Sequence, residues 1–196
     1  MLYTFTLMPP PELSLTIAAM RRQFAENFKC QKALRPPVHI TLYSPFEASD
    51  EEADIFENLK GWASRQPQLH ITLRNFGFFE RGQHPVLFID VVKEAALSAL
   101  RTGLVTRVRQ LLPIHKEEKL KPDAFNPHIT LGYRDTSLVM LPEMKAAYSR
   151  RKFDGAFTAR SFYLWRHNTK NWEIVNEFPF APVVDGYTAG AQASLF

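Results

Sequence analysis

The same order of helix-like and strand-like segments occurs twice along this chain, and this repeat constrains the fold more than any other feature. After a first strand at 2–7, an amphipathic helical pattern leads into Pro37-Val38-His39-Ile40-Thr41-Leu42, a short helix and strand-like runs at about 69–79 and 85–92. A second helical pattern leads into Asn126-Pro127-His128-Ile129-Thr130-Leu131, another short helix and runs at about 156–166 and 172–178. We therefore predict an α+β fold that is duplicated and two-lobed, with antiparallel sheets lining a central cleft and helices on the outside.

The length of the chain suits one domain. Its 196 residues can bury a substantial core, so we assign 1–180 to a single domain of two pseudo-symmetric lobes. The segment 181–196 is rich in Ala, Gly and small polar residues and is interpreted as a C-terminal tail. No apolar run is long enough to span a membrane, and the N-terminus does not resemble a signal peptide. We expect a cytoplasmic monomer that does not associate with a membrane.

Charge and cysteine content narrow the function classes. The net charge is +4, and the stretch from Arg101 to Lys170 holds 14 Lys and Arg against 6 Asp and Glu. This basic stretch suits an anionic ligand such as a nucleotide or an RNA end, although ordinary solvated surface charge would produce the same bias. The single Cys30 excludes an internal disulfide and a zinc site built on a cysteine pair. Glycine-rich phosphate loops are missing from the sequence, and we predict neither a cofactor nor a metal.

Each half of the repeat contains a proline-led His-x-Thr segment. Residues two apart in a strand project from the same face, so His39, Thr41 and Tyr43 should share one face. By the same argument His128 and Thr130 should lie side by side on their own strand.

Two imidazoles suit the cleavage of a phosphodiester. A neutral histidine can remove a proton from water or from a ribose hydroxyl, while an imidazolium can protonate the departing oxygen. The hydroxyls of Thr41 and Thr130 can donate hydrogen bonds to the non-bridging phosphate oxygens. We therefore predict His39, Thr41, His128 and Thr130 as the catalytic residues. Polar and basic neighbours are candidates for substrate binding: Tyr43, Arg35, Lys121, Tyr133 and Arg134.

A third His-x-Thr, His70-Ile71-Thr72, complicates the motif search. It opens the strand-pair element of the repeat, and superposing Phe76 on Phe162 places His70 opposite Ala156 and not opposite His128. Neither of the two positions before His70 is a proline, whereas Pro37 and Pro127 lie within two positions of the other histidines. We interpret His70 as a polar strand residue outside the catalytic set.

The two proline-led motifs resemble those of the 2H phosphoesterase superfamily, and within it the 2′-5′ RNA ligase-like proteins, also called RNA 2′,3′-cyclic phosphodiesterases. The late strand pair, with Tyr163-Leu164-Trp165-Arg166, is similar in character to the last hairpin of that family. The resemblance implies activity without metal or ATP on a 2′,3′-cyclic phosphate, or reversible joining of RNA ends through a 2′-5′ linkage. It also implies that His128 activates the water and that His39 protonates the leaving oxygen.

Two other functions fit the same residues. A binding module could hold an RNA end or a small cyclic nucleotide with these four side chains and without turnover. A dinuclear metal hydrolase could use the histidines as ligands, and chelation would then abolish its activity.

Overall fold

The computed structural model describes residues 1–48, 52–80, 82–111 and 125–182, with the side chains of 52–56 left out. The predicted substrate residue Lys121 and all but two residues of the predicted tail lie outside this described part of the chain. None of the helices in the described part is long and apolar enough to cross a membrane.

Eight strands and four α-helices are described. In chain order they are β1 (Leu2–Leu7), α1 (Pro11–Phe28), β2 (Ile40–Glu47), α2 (Glu52–Ala63), β3 (Leu69–Phe79), β4 (Val86–Val91), α3 (Ala95–Leu111), β5 (His128–Gly132), α4 (Leu141–Tyr148), β6 (Asp154–Ala159), β7 (Ser161–His167) and β8 (Trp172–Pro179). Short 3-10 turns lie at Lys32–Leu34 and Leu138–Met140. The predicted order is confirmed except at 156–166, which is two strands separated by Arg160 and not one run.

Two antiparallel four-stranded sheets form the two lobes. The first has the strand order β2-β1-β7-β8 and the second has the order β5-β4-β3-β6. This confirms the predicted two-lobed α+β fold. The lobes do not coincide with the two halves of the chain, however, because β3 and β4 join the second sheet while β7 and β8 return to complete the first. The change of sheet at Arg160 is the reason that one predicted strand became two.

The repeat extends to the irregularities of the strands. Thr41 pairs with Thr6 and Tyr43 pairs with Phe5, so β2 carries an extra residue between these two pairs. The second lobe repeats this in β5, where the partners of Thr130 and Gly132 are the adjacent residues Phe88 and Leu87. A bulge therefore follows the His-x-Thr motif in both lobes. Helix α1 contacts β5 and α3 contacts β2, which preserves the same symmetry.

Gly132, the residue after the second bulge, is where helix α1 packs against β5. Helix α1 places the Phe24 ring against this strand, where it is fully buried and also contacts the rings of Phe28 at 4.8 Å and Tyr148 at 5.7 Å. A Cβ added to Gly132 would overlap the Phe24 ring. Glycine thus lets α1 approach the strand that carries His128.

We predict that Gly132→Ala lowers the free energy of unfolding by about 1–3 kcal/mol, because the packed Phe24 ring must move to admit the methyl group. Urea denaturation followed by circular dichroism measures this. Gly61→Ala is the matched control, since Gly61 lies in α2 with the nearest atom 3.9 Å from the added Cβ, and alanine there should stabilise by up to about 1 kcal/mol. Equal unfolding midpoints for Gly132→Ala and the wild type would contradict the close packing.

Candidate active site

His39 and His128 occupy the same place in the two lobes. His39 immediately precedes β2, and His128 is the first residue of β5. The Nδ1 atom of His39 lies 2.8 Å from the carbonyl oxygen of Pro37, and Nδ1 of His128 lies 2.8 Å from that of Asn126. A carbonyl can only accept a hydrogen bond, so Nδ1 of each ring carries the hydrogen. Each neutral imidazole therefore has its lone pair on Nε2.

The fold brings the two histidines together. Strands β2 and β5 are edge strands of different sheets, and they contact each other. The two rings interact electrostatically, since a charge on His128 lowers the pKa of His39. Two histidines that are 89 positions apart in the sequence thus belong to one site.

The threonines lie on the same strands, just after the histidines. Thr41 and Thr130 are both half-buried, whereas the isoleucines and leucines beside them are buried. Each threonine precedes the bulge of its strand. Each threonine therefore lies on the same face of its strand as the histidine two residues before it, as the sequence predicts.

Each histidine ring contacts an aromatic ring at equivalent positions of the two sheets. The centres of the Trp165 and His39 rings are 4.8 Å apart, and those of the Phe79 and His128 rings are 4.9 Å apart. Sequence reasoning missed both aromatic partners. The offset of 86 that relates Phe76 to Phe162 also relates Phe79 to Trp165, so the signal was present in the repeat.

The aromatic surroundings of the two histidines differ in polarity. The Phe88 ring packs 5.2 Å from that of His128, and at the equivalent position the first lobe has Thr6. The Thr6 hydroxyl and the Trp165 indole nitrogen are buried without a hydrogen-bond partner among the described residues. The first lobe thus has polar groups where the second has phenyl rings.

Burial and nearby charges set the protonation of the two imidazoles. Burial is the main cause that lowers the pKa of His39 to about 4, and the charges of Arg21 and His128 add to this effect. Burial also lowers the pKa of His128, against which the Asn126 hydrogen bond and the carboxylate of Asp90 act. Both rings are therefore mainly neutral at pH 7 in the free protein.

Asp90 distinguishes the two histidines. It is the partner of His128 in the β4–β5 ladder. In the first lobe the corresponding position, two residues beyond Thr6, is Met8. Only the second histidine of the pair therefore has a carboxylate opposite it, and the protonated form is favoured there.

A buried arginine lies between the two motifs. The Arg21 side chain, on α1, is 3% exposed. Its Nε donates to the carbonyl of Thr130 at 2.8 Å, and Nη1 donates to the carbonyl of Pro36 at 2.9 Å. Sequence reasoning missed Arg21 as well, although it lies four residues after Ile17 and three before Phe24, on the apolar stripe of the predicted helix.

The prediction that Tyr43 shares the face of His39 and Thr41 is wrong. The bulge after Thr41 breaks the alternation, and Tyr43 pairs with Phe5 on the core side of the sheet. Tyr43 is 4% exposed, and its ring packs 5.4 Å from that of Phe46.

The other predicted substrate residues are differently placed. Tyr133 follows the second bulge and is 43% exposed. The guanidinium of Arg134 lies 5.2 Å from the centre of the Tyr133 ring, and the Arg134 backbone adopts a φ of 69°. Arg35 is exposed, just after the 3-10 turn that precedes His39.

His70 lies away from the paired histidines. It is exposed and pairs with Thr158 of β6. On β3 it lies nine positions before Phe79, whose ring contacts that of His128, which corresponds to roughly 30 Å of strand. Among the described residues, no group of three or more His, Cys, Asp and Glu side chains could hold a metal ion.

Comparisons with known proteins identify the family. The model of the 2′-5′ RNA ligase superfamily matches residues 9–171. A Bacillus pumilus protein named "Putative phosphoesterase" is 25% identical over 183 residues, which cover 91% of this chain and 96% of that protein.

Solved structures share the fold. TT0787 of Thermus thermophilus aligns with a TM-score of 0.69 at 21% identity, covering 91% of this chain and 97% of its own. LigT of E. coli in apo form aligns with a TM-score of 0.65 at 21% identity, covering 92% of this chain and 97% of its own. LigT complexed with 3′-AMP aligns with a TM-score of 0.64 at 19% identity, covering 92% of this chain and 98% of its own. From the family match across most of its length and the paired motifs, the chain belongs to the 2′-5′ RNA ligase superfamily of 2H phosphoesterases.

Proposed function

We propose that this protein opens 2′,3′-cyclic phosphates on RNA ends or small nucleotides without a metal ion, and that it can also join RNA ends through a 2′-5′ linkage. The observation that carries the proposal is the matched pair of imidazoles, each held through Nδ1 on an edge strand with Nε2 left for chemistry. The similarity to a protein solved with 3′-AMP supports a nucleotide ligand, since a 3′-phosphate is one product of opening such a ring.

The reaction follows from the two protonation states of imidazole. In hydrolysis, the neutral ring takes a proton from water as its oxygen attacks phosphorus. The bond from phosphorus to one ribose oxygen breaks, and the imidazolium gives its proton to that oxygen, leaving a 2′- or 3′-phosphate. In ligation, a 5′-hydroxyl takes the place of water and the bond to the 3′-oxygen breaks. The hydroxyls of Thr41 and Thr130 donate to the non-bridging oxygens throughout.

The charges around the rings favour His39 as the base and His128 as the acid, the reverse of what the family resemblance implies. His39 has the nearby Arg21 charge and a pKa lowered to about 4, so its neutral form dominates. His128 has the Asp90 carboxylate, which favours the imidazolium.

Tyr133 and Arg134 are proposed to hold the nucleoside. The exposed Tyr133 ring follows Thr130 beyond the bulge, and its face suits stacking on a base. Arg134 supplies positive charge beside that ring. Arg35 and Lys121 stay proposals for contacts with a longer RNA strand.

We predict that His39→Ala and His128→Ala each lower kcat by about 10²–10⁴-fold, because each removes one proton-transfer group. His70→Ala is the control and should keep most activity. The assay is conversion of a 2′,3′-cyclic mononucleotide by purified protein in EDTA, with the products separated by chromatography.

Several results would contradict this assignment. Comparable losses in all three variants would place His70 in the catalytic set. Loss of wild-type activity in EDTA would indicate metal-dependent hydrolysis, and tight binding without product would indicate a binding module.

The pH dependence of kcat/KM should be bell-shaped, with its maximum below about pH 6.5. The base must be neutral, so the rate rises as pH increases through about 4, the pKa of His39. The acid must be protonated, so the rate falls as pH increases through the lowered pKa of His128. The pH profile has the same shape if the two histidines exchange roles. The rate follows the fraction of protein molecules that carry one proton on the histidine pair. Steady-state kinetics in buffers from pH 3 to 9 at constant ionic strength would test this. A maximum above about pH 6.5 would contradict the lowered pKa values.

Substitution of Tyr133 should act mainly on KM. We expect Tyr133→Ala to raise KM for a cyclic mononucleotide by about tenfold, from the loss of roughly 1–3 kcal/mol of base stacking. Tyr43→Phe is the matched control, because Tyr43 is buried on the other side of its sheet. Its kcat and KM should equal those of the wild type, measured by initial rates. A raised KM in Tyr43→Phe and an unchanged KM in Tyr133→Ala would contradict this. That result would indicate that Tyr43 faces the substrate, as strand alternation alone predicts.

A further inference from the structure

We propose that Arg21 is a positioning residue that fixes the two His-x-Thr strands relative to each other across the cleft. The inference rests on the proposed function only for its effect on turnover. Its physical basis is a pair of hydrogen bonds from one guanidinium to backbone carbonyls that belong to different motifs.

The two bonds reach both lobes. Nε donates to the carbonyl of Thr130, the hydroxyl residue of the second motif, at 2.8 Å. Nη1 donates to the carbonyl of Pro36 at 2.9 Å, next to the peptide whose carbonyl, that of Pro37, holds the His39 ring. The guanidinium is planar and rigid, so these two acceptors are held at a set spacing.

Arg21 is also a buried charge. It is 3% exposed, and among the described residues no carboxylate forms an ion pair with it. Burial lowers its pKa to about 10, which leaves it protonated at neutral pH. Burying a cation without a carboxylate partner is costly, because the charge loses its contact with water. An apolar residue of similar size would fill the same place without that cost. The hydrogen bonds to the carbonyls of Thr130 and Pro36 offset part of that cost.

The groups that act on His39 come from each element around it. Arg21 on α1 and His128 on β5 disfavour its protonated form, the Pro37 carbonyl favours it, and the Trp165 ring on β7 is neutral. Burial is the main reason that the first imidazole is neutral, and the charge of Arg21 adds to this effect. The hydrogen bonds of Arg21 link the two strands that carry the motifs. These two contributions can be separated by substitution.

Arg21→Met removes both the charge and the hydrogen bonds, whereas Arg21→Lys keeps the charge but loses the forked geometry. We expect Arg21→Met to lower kcat about 100-fold, the effect of displacing a catalytic group by about 1 Å, and to raise the pKa of His39 towards its ordinary value. Arg21→Lys should lower kcat at least tenfold with the pKa of His39 unchanged. Arg22→Met, at the adjacent exposed position of α1, is the matched control and should change neither quantity.

Two readouts keep the tests independent. Turnover of a 2′,3′-cyclic mononucleotide reports positioning, and NMR titration of the imidazole signals reports the pKa of His39 whether or not the substrate is correct. The His39 signal is assigned by its loss in His39→Ala. A wild type that turns over no cyclic nucleotide would defeat the proposed function and leave the titration able to judge the charge of Arg21.

A folded Arg21→Met with wild-type kcat would overturn the inference, whatever the titration of His39 shows. Circular dichroism establishes whether that variant folds. Should it not fold, Arg21→Lys decides: a loss of at least tenfold in kcat supports positioning, and a kcat equal to that of the wild type overturns it.

Discussion

The arrangement of the site depends on the contact between two edge strands, β2 and β5, that belong to different sheets. An edge strand has one side without a partner in its own sheet, so another part of the fold must cover it. Here the two edges meet, and each carries a histidine at its start. Antiparallel pairing with β1 and β4 stiffens the strands, and the Nδ1 hydrogen bonds orient the rings. A two-imidazole site thus results from closing one sheet edge with another.

The chain also exchanges strands between the lobes. β3 and β4 leave for the second sheet before the first is complete, and β7 and β8 return to it after the change of direction at Arg160. The crossings tie the lobes together, and α1 and α3 do the same by packing on β5 and β2. The link through Arg21 adds a polar connection at the level of the motifs.

Departures from symmetry give the two imidazoles different proton affinities. Two identical histidines would have equal proton affinities and no preference for base or acid. Asp90 opposite His128, and Arg21 near His39, remove that equality. The side chains around the two rings differ as well. The first lobe has Trp165 and Thr6 where the second has Phe79 and Phe88.

The sequence by itself determined the order of the elements and the two-lobed α+β class, and it predicted that His39 pairs with His128 and not with His70. These follow from hydrophobic periodicity, from proline positions and from a repeat, all of which are local or one-dimensional. Only the tertiary structure decided that Tyr43 turns into the core, because a one-residue bulge reverses the face of every residue after it. It alone decided which strands share a sheet, and that Arg21 bonds two carbonyls 94 residues apart. Register and long-range hydrogen bonds depend on the partner strand, and the partner is a property of the folded chain.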